Sequence, residues 1–148
     1  MASNLSRRVH RIENSISLLG MLYDRLRFLQ PPMTGLVAAV ADMEQFSGTE
    51  YLQLCRSRMA QETPFPTAWR TALEESGPQL GQEHLEALLP LGEVLGCTDL
   101  DSQLTSIRHT VNLLENQLAG AREYREKHSK LYRSLGVLGG MAVAIVLL

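Results

Sequence analysis

Aromatic residues are scarce in this 148-residue chain: three Phe, four Tyr and a single Trp. Sequence-neutral nucleic-acid binding needs a basic groove interleaved with stacking rings. With so few rings and a formal net charge of −2, that class is excluded and no nucleic-acid partner is expected. Cysteine is scarcer still. Cys55 and Cys97 cannot build a disulfide framework or a four-ligand zinc site, and they suit a reducing compartment. Disorder of the low-hydrophobicity kind is excluded as well, because 45% of the residues are hydrophobic and 20% charged. The length is that of one domain with a real core.

Proline is missing from both ends. All six prolines (Pro31, Pro32, Pro64, Pro66, Pro78 and Pro90) lie between residues 31 and 90. Proline removes a backbone donor and clashes with the preceding turn. The ends can therefore be long helices, and the middle must be several short ones. Val9, Ile12, Ile16, Leu19, Tyr23 and Leu26 recur at alternating steps of three and four, as do Leu100, Leu104, Ile107, Val111, Leu114, Leu118 and Ala121. Both are single stripes of amphipathic helices that face a core.

Between them four short helices are predicted. The first spans about Thr34 to Phe46. The second is capped by Ser47 or Thr49 and carries Leu52, Cys55 and Met59. The third opens at Thr63-Pro64-Phe65-Pro66, bears Trp69 and Leu73, and ends at Gly77-Pro78. The fourth runs from about Gln82 to Leu95, kinked at Pro90. Strand-like alternation of apolar and polar residues is absent. The expected fold is all-α: a bundle of about six helices, the long first and last ones antiparallel.

The segment Leu95-Gly-Cys-Thr-Asp99 reads as a structural turn. Gly96 suits the left-handed residue that ends a helix, and Thr98 or Asp99 suits the cap of the next. Gly92 and Gly96 are four apart, which is expected to place them on one face open to a neighbouring backbone.

Charge is unevenly placed. Residues 1–30 carry five Arg against Glu13 and Asp24, a net of +3. Residues 31–101 carry eleven acids against three Arg, a net of −8. Residues 102–148 carry six bases against three acids, a net of +3. If the long helices are antiparallel, Arg7, Arg8 and Arg11 share an end with Arg122, Arg125, Lys127, Lys130 and Arg133. A polarised domain follows as an expectation, with a basic base and an acidic tip. Glu74, Glu75, Glu83 and Glu86 are then the candidate docking residues for a partner.

Residues 135–148 contain no polar side chain. Fourteen helical residues reach about 21 Å, or about 27 Å if Leu131 and Tyr132 join them and Arg133 snorkels, against a hydrocarbon core of roughly 30 Å. Gly136 and Gly140 form a small-xxx-small pair suited to packing against another membrane helix. Two units are therefore expected: a helical domain over 1–134 and an apolar membrane segment over 135–148. The basic stretch just before the tail suits a membrane surface of anionic headgroups. The alternative is a soluble interaction module or regulator whose apolar C-terminal helix mediates homo-oligomerisation.

Catalytic patterns are missing. There is no His-Glu-x-x-His, Gly-x-Ser-x-Gly or Cys-x-x-Cys. His10, His84, His109 and His128 are scattered along the chain, and each reads as a solvated or edge residue. Cys55 reads as core and Cys97 as exposed. No catalytic residue, cofactor or metal is expected.

Two stretches resemble a known family. Lys130-Leu-Tyr-Arg-Ser-Leu-Gly-Val-Leu-Gly-Gly140 before an apolar end, and Leu91-Gly-Glu-Val-Leu-Gly-Cys-Thr-Asp99 with Gln103, resemble the stage III sporulation protein AB family. Phe65, Ala68 and Trp69 match a third set of positions, and Arg7–Leu26 a weaker one. Two places depart from the family pattern. Members usually begin with a membrane helix, where this chain reads Met-Ala-Ser-Asn-Leu-Ser-Arg-Arg. Tyr23-Asp24-Arg25 and Pro31-Pro32-Met33 replace the family's acidic residues and Thr-Pro-Leu.

The resemblance implies a helical domain similar to the cytoplasmic domains of the type II secretion F component. It implies a membrane-anchored adaptor in the complex that links mother cell and forespore. The implied location of the anchor is the mother-cell membrane around the forespore, with the domain in the mother-cell cytoplasm. The implied partners are a secretion-type ATPase, stage III sporulation protein AA, and other membrane subunits of the complex.

Overall fold

The computed structural model describes the backbone of residues 2–134 and the side chains of residues 7–121. Among the described residues there are six α-helices and no strand. They are α1 (Ala2–Leu29), α2 (Met33–Ala41), α3 (Glu50–Ala60), α4 (Phe65–Leu80), α5 (Gln82–Leu88) and α6 (Leu100–Ser134). The apolar segment 135–148, with Gly136 and Gly140, lies outside the described residues.

The proline-free ends form the expected long helices, of 28 and 35 residues. They pack along each other as an antiparallel hairpin. Tyr23, near the end of α1, lies beside Arg108, near the start of α6, with the Arg108 guanidinium donating to the Tyr23 hydroxyl at 2.5 Å and sitting 5.5 Å from its ring centre. On α1, Val9, Ile12, Leu18, Leu19, Leu22 and Leu26 are buried; on α6, Ile107, Leu114 and Ala121 are. The buried face of α1 is therefore rotated from the stripe expected. Leu18, Leu22 and the polar Ser15 lie inside it, while Ile16 and Tyr23 are only partly covered.

The four inner helices pack into one core with this hairpin. Here α3 lies against α4, α2 against α3 and α1, and α5 between α4 and α6. Trp69 is the centrepiece. It is fully buried, meets Tyr51 edge-on with ring centres 5.6 Å apart, and donates its indole N–H to the Leu88 carbonyl at 2.8 Å. A buried indole needs such an acceptor. This one secures the end of α5.

Three boundaries differ from the sequence expectation, and one cap position is kept without its cap bond. First, α2 stops at Ala41, and Glu44–Phe46 forms a separate 3-10 turn that buries Phe46. Second, α4 runs through Gly77-Pro78 to Leu80. Pro78 is exposed and sits in the last turn, so it costs only the donor to the Glu74 carbonyl, which water can replace. The helix ends instead at Gly81 (φ 94°, ψ 153°), a region accessible essentially to glycine alone.

Third, Pro90 does more than kink a helix. It sits at the start of a 3-10 turn, Leu89–Glu93, that replaces the second half of the predicted fourth helix. Thr49 stands at the N-cap position of α3, one of the two positions expected, but makes no cap hydrogen bond. Its hydroxyl accepts from the Asn14 side chain instead, at 2.5 Å.

Candidate functional site

The turn between the Leu89–Glu93 segment and α6 is held by several specific contacts. Gly96 takes φ 79°, as its position after a helical segment requires. A Cβ there would stand 2.6 Å from Met33 Cγ. At Gly92 a Cβ would stand 2.9 Å from Trp69 Cδ1. Both glycines permit a close approach, but to different neighbours, α2 and α4, and not along one shared face. Asp99 is the cap. Its carboxylate accepts from the Ser102 amide at 3.1 Å and from the Ser102 hydroxyl at 2.7 Å, which holds its pKa below the ordinary value. Thr98 instead donates to the Val94 carbonyl.

Gln103 closes the turn. It is almost fully buried; its Oε1 accepts from the Gly96 amide at 3.0 Å and its Nε2 donates to the Thr98 carbonyl at 2.8 Å. A side-chain amide with both ends used in this way fixes the loop as a backbone ladder would.

Among the described residues, the basic start of α1 does not stand apart from the acidic insert. Arg7 and Arg8 are exposed and Arg11 is partly covered. Arg8 reaches Glu83 at 3.4 Å, and Arg11 donates to the Gln79 carbonyl. The Gln117 side chain also donates to the Glu83 carbonyl, at 3.1 Å. The acidic insert thus lies along the hairpin with α5 beside the basic start of α1, because α5 packs against both α4 and α6. The side chains of Arg122, Arg125, Lys127, Lys130 and Arg133 lie outside the described set.

Of the four candidate docking carboxylates, Glu75 pairs with Arg58 and Glu83 with Arg8. Glu86 accepts from Gln82 one turn earlier, at 2.8 Å, and stands exposed; Glu74 is exposed on α4. The acidic surface therefore presents Glu74 and Glu86 more freely than the other two. At the opposite end of the hairpin, the end of α1, the start of α2 and the turn before α6 enclose an open cleft of about 640 Å³, lined by Leu26, Pro31, Met33, Phe65, Cys97 and Gln103 among others. Phe28 and Leu29 stand exposed beside it, 72% and 66% accessible.

His84 overturns its expectation. It is not a solvated or edge residue but 3% exposed, and its Nε2 lies 2.8 Å from the Ser15 hydroxyl. The same hydroxyl is 2.7 Å from the Tyr51 hydroxyl. A buried polar chain, Tyr51–Ser15–His84, thus joins α3, α1 and α5. Burial is the main cause that lowers the His84 pKa to about 4, and the charges of Arg8 and Arg11 lower it further. Tyr51 is pushed well above its ordinary value by burial, against the opposing bond from Ser15. Nothing periodic in the sequence marks this chain, because a single Ser on an apolar face and a single His in a short helix are both common. Cys55 is buried with its thiol pKa pushed up to about 12, and Cys97 is exposed, both as the sequence reading expects. His10 and His109 are exposed; the side chain of His128 lies outside the described set.

These features define a class: an all-α antiparallel hairpin with a four-helix insert, held by a glycine turn and a buried polar chain. The profile of the stage III sporulation protein AB family matches residues 1–148, and the chain belongs to that family. Stage III sporulation protein AB of Bacillus subtilis strain 168 is 32% identical over 84 residues, which cover 55% of this chain and 49% of that one. The chain thus spans about half the length of that relative in the match. A solved stage III sporulation protein AB structure superposes with a TM-score of 0.70 at 21% identity, over 82% of this chain and 98% of the other. That likeness carries the all-α fold.

Proposed function

We propose that this chain is a non-enzymatic platform or adaptor subunit of the mother cell–forespore channel, coupling a secretion-type ATPase to membrane subunits. The observation that carries the reading is the match of the whole chain to a sporulation family. The apolar residues 135–148 behind a basic stretch support a membrane anchor in the mother cell, with the helical bundle in its cytoplasm. A hairpin whose first helix is about 42 Å long suits the transmission of displacement between a membrane and a motor. Absence of catalysis is supported by where the reactive groups sit. The Tyr51 and Ser15 hydroxyls and the His84 Nε2 are buried and bonded to one another, and burial holds the Cys55 thiol protonated.

The docking surface for the ATPase, stage III sporulation protein AA in this reading, is the acidic exterior of α4 and α5. Because Glu75 and Glu83 hold arginines of their own chain, Glu74 and Glu86 are the residues to reverse. Binding to the purified ATPase is expected to fall at least ten-fold in the Glu74→Arg, Glu86→Arg double variant; unchanged binding rejects the acidic surface. For the anchor, the full chain is expected in the membrane fraction and a chain ending at residue 134 in the soluble fraction. A full chain that stays out of the membrane but oligomerises through its tail favours the soluble-module reading instead.

A further inference from the structure

The start of α3, the third and fourth turns of α1 and the end of α4 enclose a small polar pocket of about 230 Å³. Nothing in the adaptor reading uses it. Three observations converge there. Thr49 occupies the N-cap position of α3 and accepts from Asn14, but it makes no cap hydrogen bond, and among the described residues no side chain accepts from the first-turn N–H groups of this 11-residue helix. Ser76 lines the same pocket, is 3% exposed, and its hydroxyl has no hydrogen-bond partner, not even the carbonyl one turn back that helical serines ordinarily use. Among the described residues Arg11 is the one cation lining the pocket, and one of its five N–H donors is engaged there, by the Gln79 carbonyl.

The first-turn N–H groups of α3 and the Arg11 guanidinium are the donors at the pocket. The single lining carboxylate, Glu50, is exposed. Uncapped helix starts attract anions because their N–H groups and the helix dipole act together. The volume is below the range typical of drug-sized ligands and corresponds to roughly eight water molecules. It is too small for a nucleotide.

We propose that this pocket binds a small free oxyanion of phosphate size between the start of α3, the Arg11 guanidinium and the Ser76 hydroxyl. Such an ion ties α1, α3 and α4 together at the basic end of the hairpin. The ion gives the first turn of α3 its missing acceptor, gives Ser76 its partner and neutralises Arg11.

Inorganic phosphate titrated into the full chain at constant ionic strength, with chloride as reference, tests this by thermal unfolding and calorimetry. A saturable rise in melting temperature is expected with phosphate and not with chloride. Arg11→Gln is expected to abolish the saturable component. Ser76→Ala is expected to weaken phosphate about ten-fold, the scale of one hydrogen bond to a charged group, while raising the melting temperature in chloride because an unpartnered buried hydroxyl is gone. No saturable effect in the wild-type chain overturns the proposal, and so does unchanged affinity in Ser76→Ala, which by itself decides the matter if Arg11→Gln fails to fold. Phosphatidylglycerol vesicles are expected not to displace phosphate. Displacement assigns the pocket to a lipid headgroup and overturns the free ion.

Discussion

Ser15 and His84 are separated by 69 positions in the chain and meet at 2.8 Å inside the bundle, with Tyr51 on the other side of the same hydroxyl. The contact fixes the register of α5 against α1. It also makes the bundle sensitive to acid, since the imidazole must stay neutral to remain buried beside Arg8 and Arg11.

The sign is set by which state binds the proton. The folded His84 titrates at about 4, against the ordinary 6.5, so between those values the unfolded chain binds more protons. Its contribution to stability is complete above about pH 6.5 and is lost as pH falls toward 4. At about 1.4 kcal/mol per pH unit the loss reaches roughly 3 kcal/mol. Urea unfolding at a series of pH values measures it. In His84→Gln the acid-dependent slope in that window is expected to disappear; an identical slope in the variant rejects the assignment.

Gln103 predicts a second effect. Its amide serves the Gly96 N–H and the Thr98 carbonyl at once while buried. Gln103→Leu removes both bonds and leaves two backbone groups without partners. A loss of about 2–4 kcal/mol is expected from unmade hydrogen bonds of this kind. Denaturant titration reads it, and a loss below 1 kcal/mol is inconsistent with the staple.

Three glycines form a matched set. Gly96→Ala places a side chain at φ 79° and 2.6 Å from Met33, and Gly92→Ala places one 2.9 Å from the packed Trp69 ring. Each is expected to cost at least 2 kcal/mol through strain or overpacking. Gly20 lies inside α1, exposed, with nothing within 4 Å of an added Cβ. Gly20→Ala is expected to stabilise by about 0.5–1 kcal/mol. Thermal midpoints that do not separate the third variant from the first two contradict this packing.

Glu62 offers a gain of a different origin. It follows α3 at φ 69°, with its amide bonded to the Met59 carbonyl and the Thr63 amide to the Arg58 carbonyl. That pairing places a left-handed residue just past the helix, where glycine is favoured. Glu62→Gly is expected to raise stability by a few tenths to about 1 kcal/mol, relief of left-handed strain exceeding the added chain entropy. A lower melting temperature refutes it.

The long helices and the turn before α6 were legible because their signals are local. Absence of proline permits α1 and α6, period 3.5 marks their stripes, and Gly96 with Asp99 places the boundary between turn and helix. Helix ends inside the insert were less legible. Pro78 is a breaker by type, yet at an exposed last turn it costs one replaceable bond, so Gly81 ends the helix instead. Docking residues were readable only as a list of acids. Which of them hold arginines of their own chain depends on helices brought together in space.

Sequence alone thus determined the all-α class, the hairpin's two long arms, the glycine turn and the family resemblance, since each rests on neighbours a few residues apart. Tertiary structure decided the rest. It turned α1 so that Ser15 faces inward, buried His84 against it, and laid the acidic insert beside Arg8 and Arg11. It also left Ser76 and the start of α3 without partners around one pocket. Those outcomes depend on which side chains meet across distant segments, and such meetings are selected by packing the whole core, not by the periodicity of any one helix.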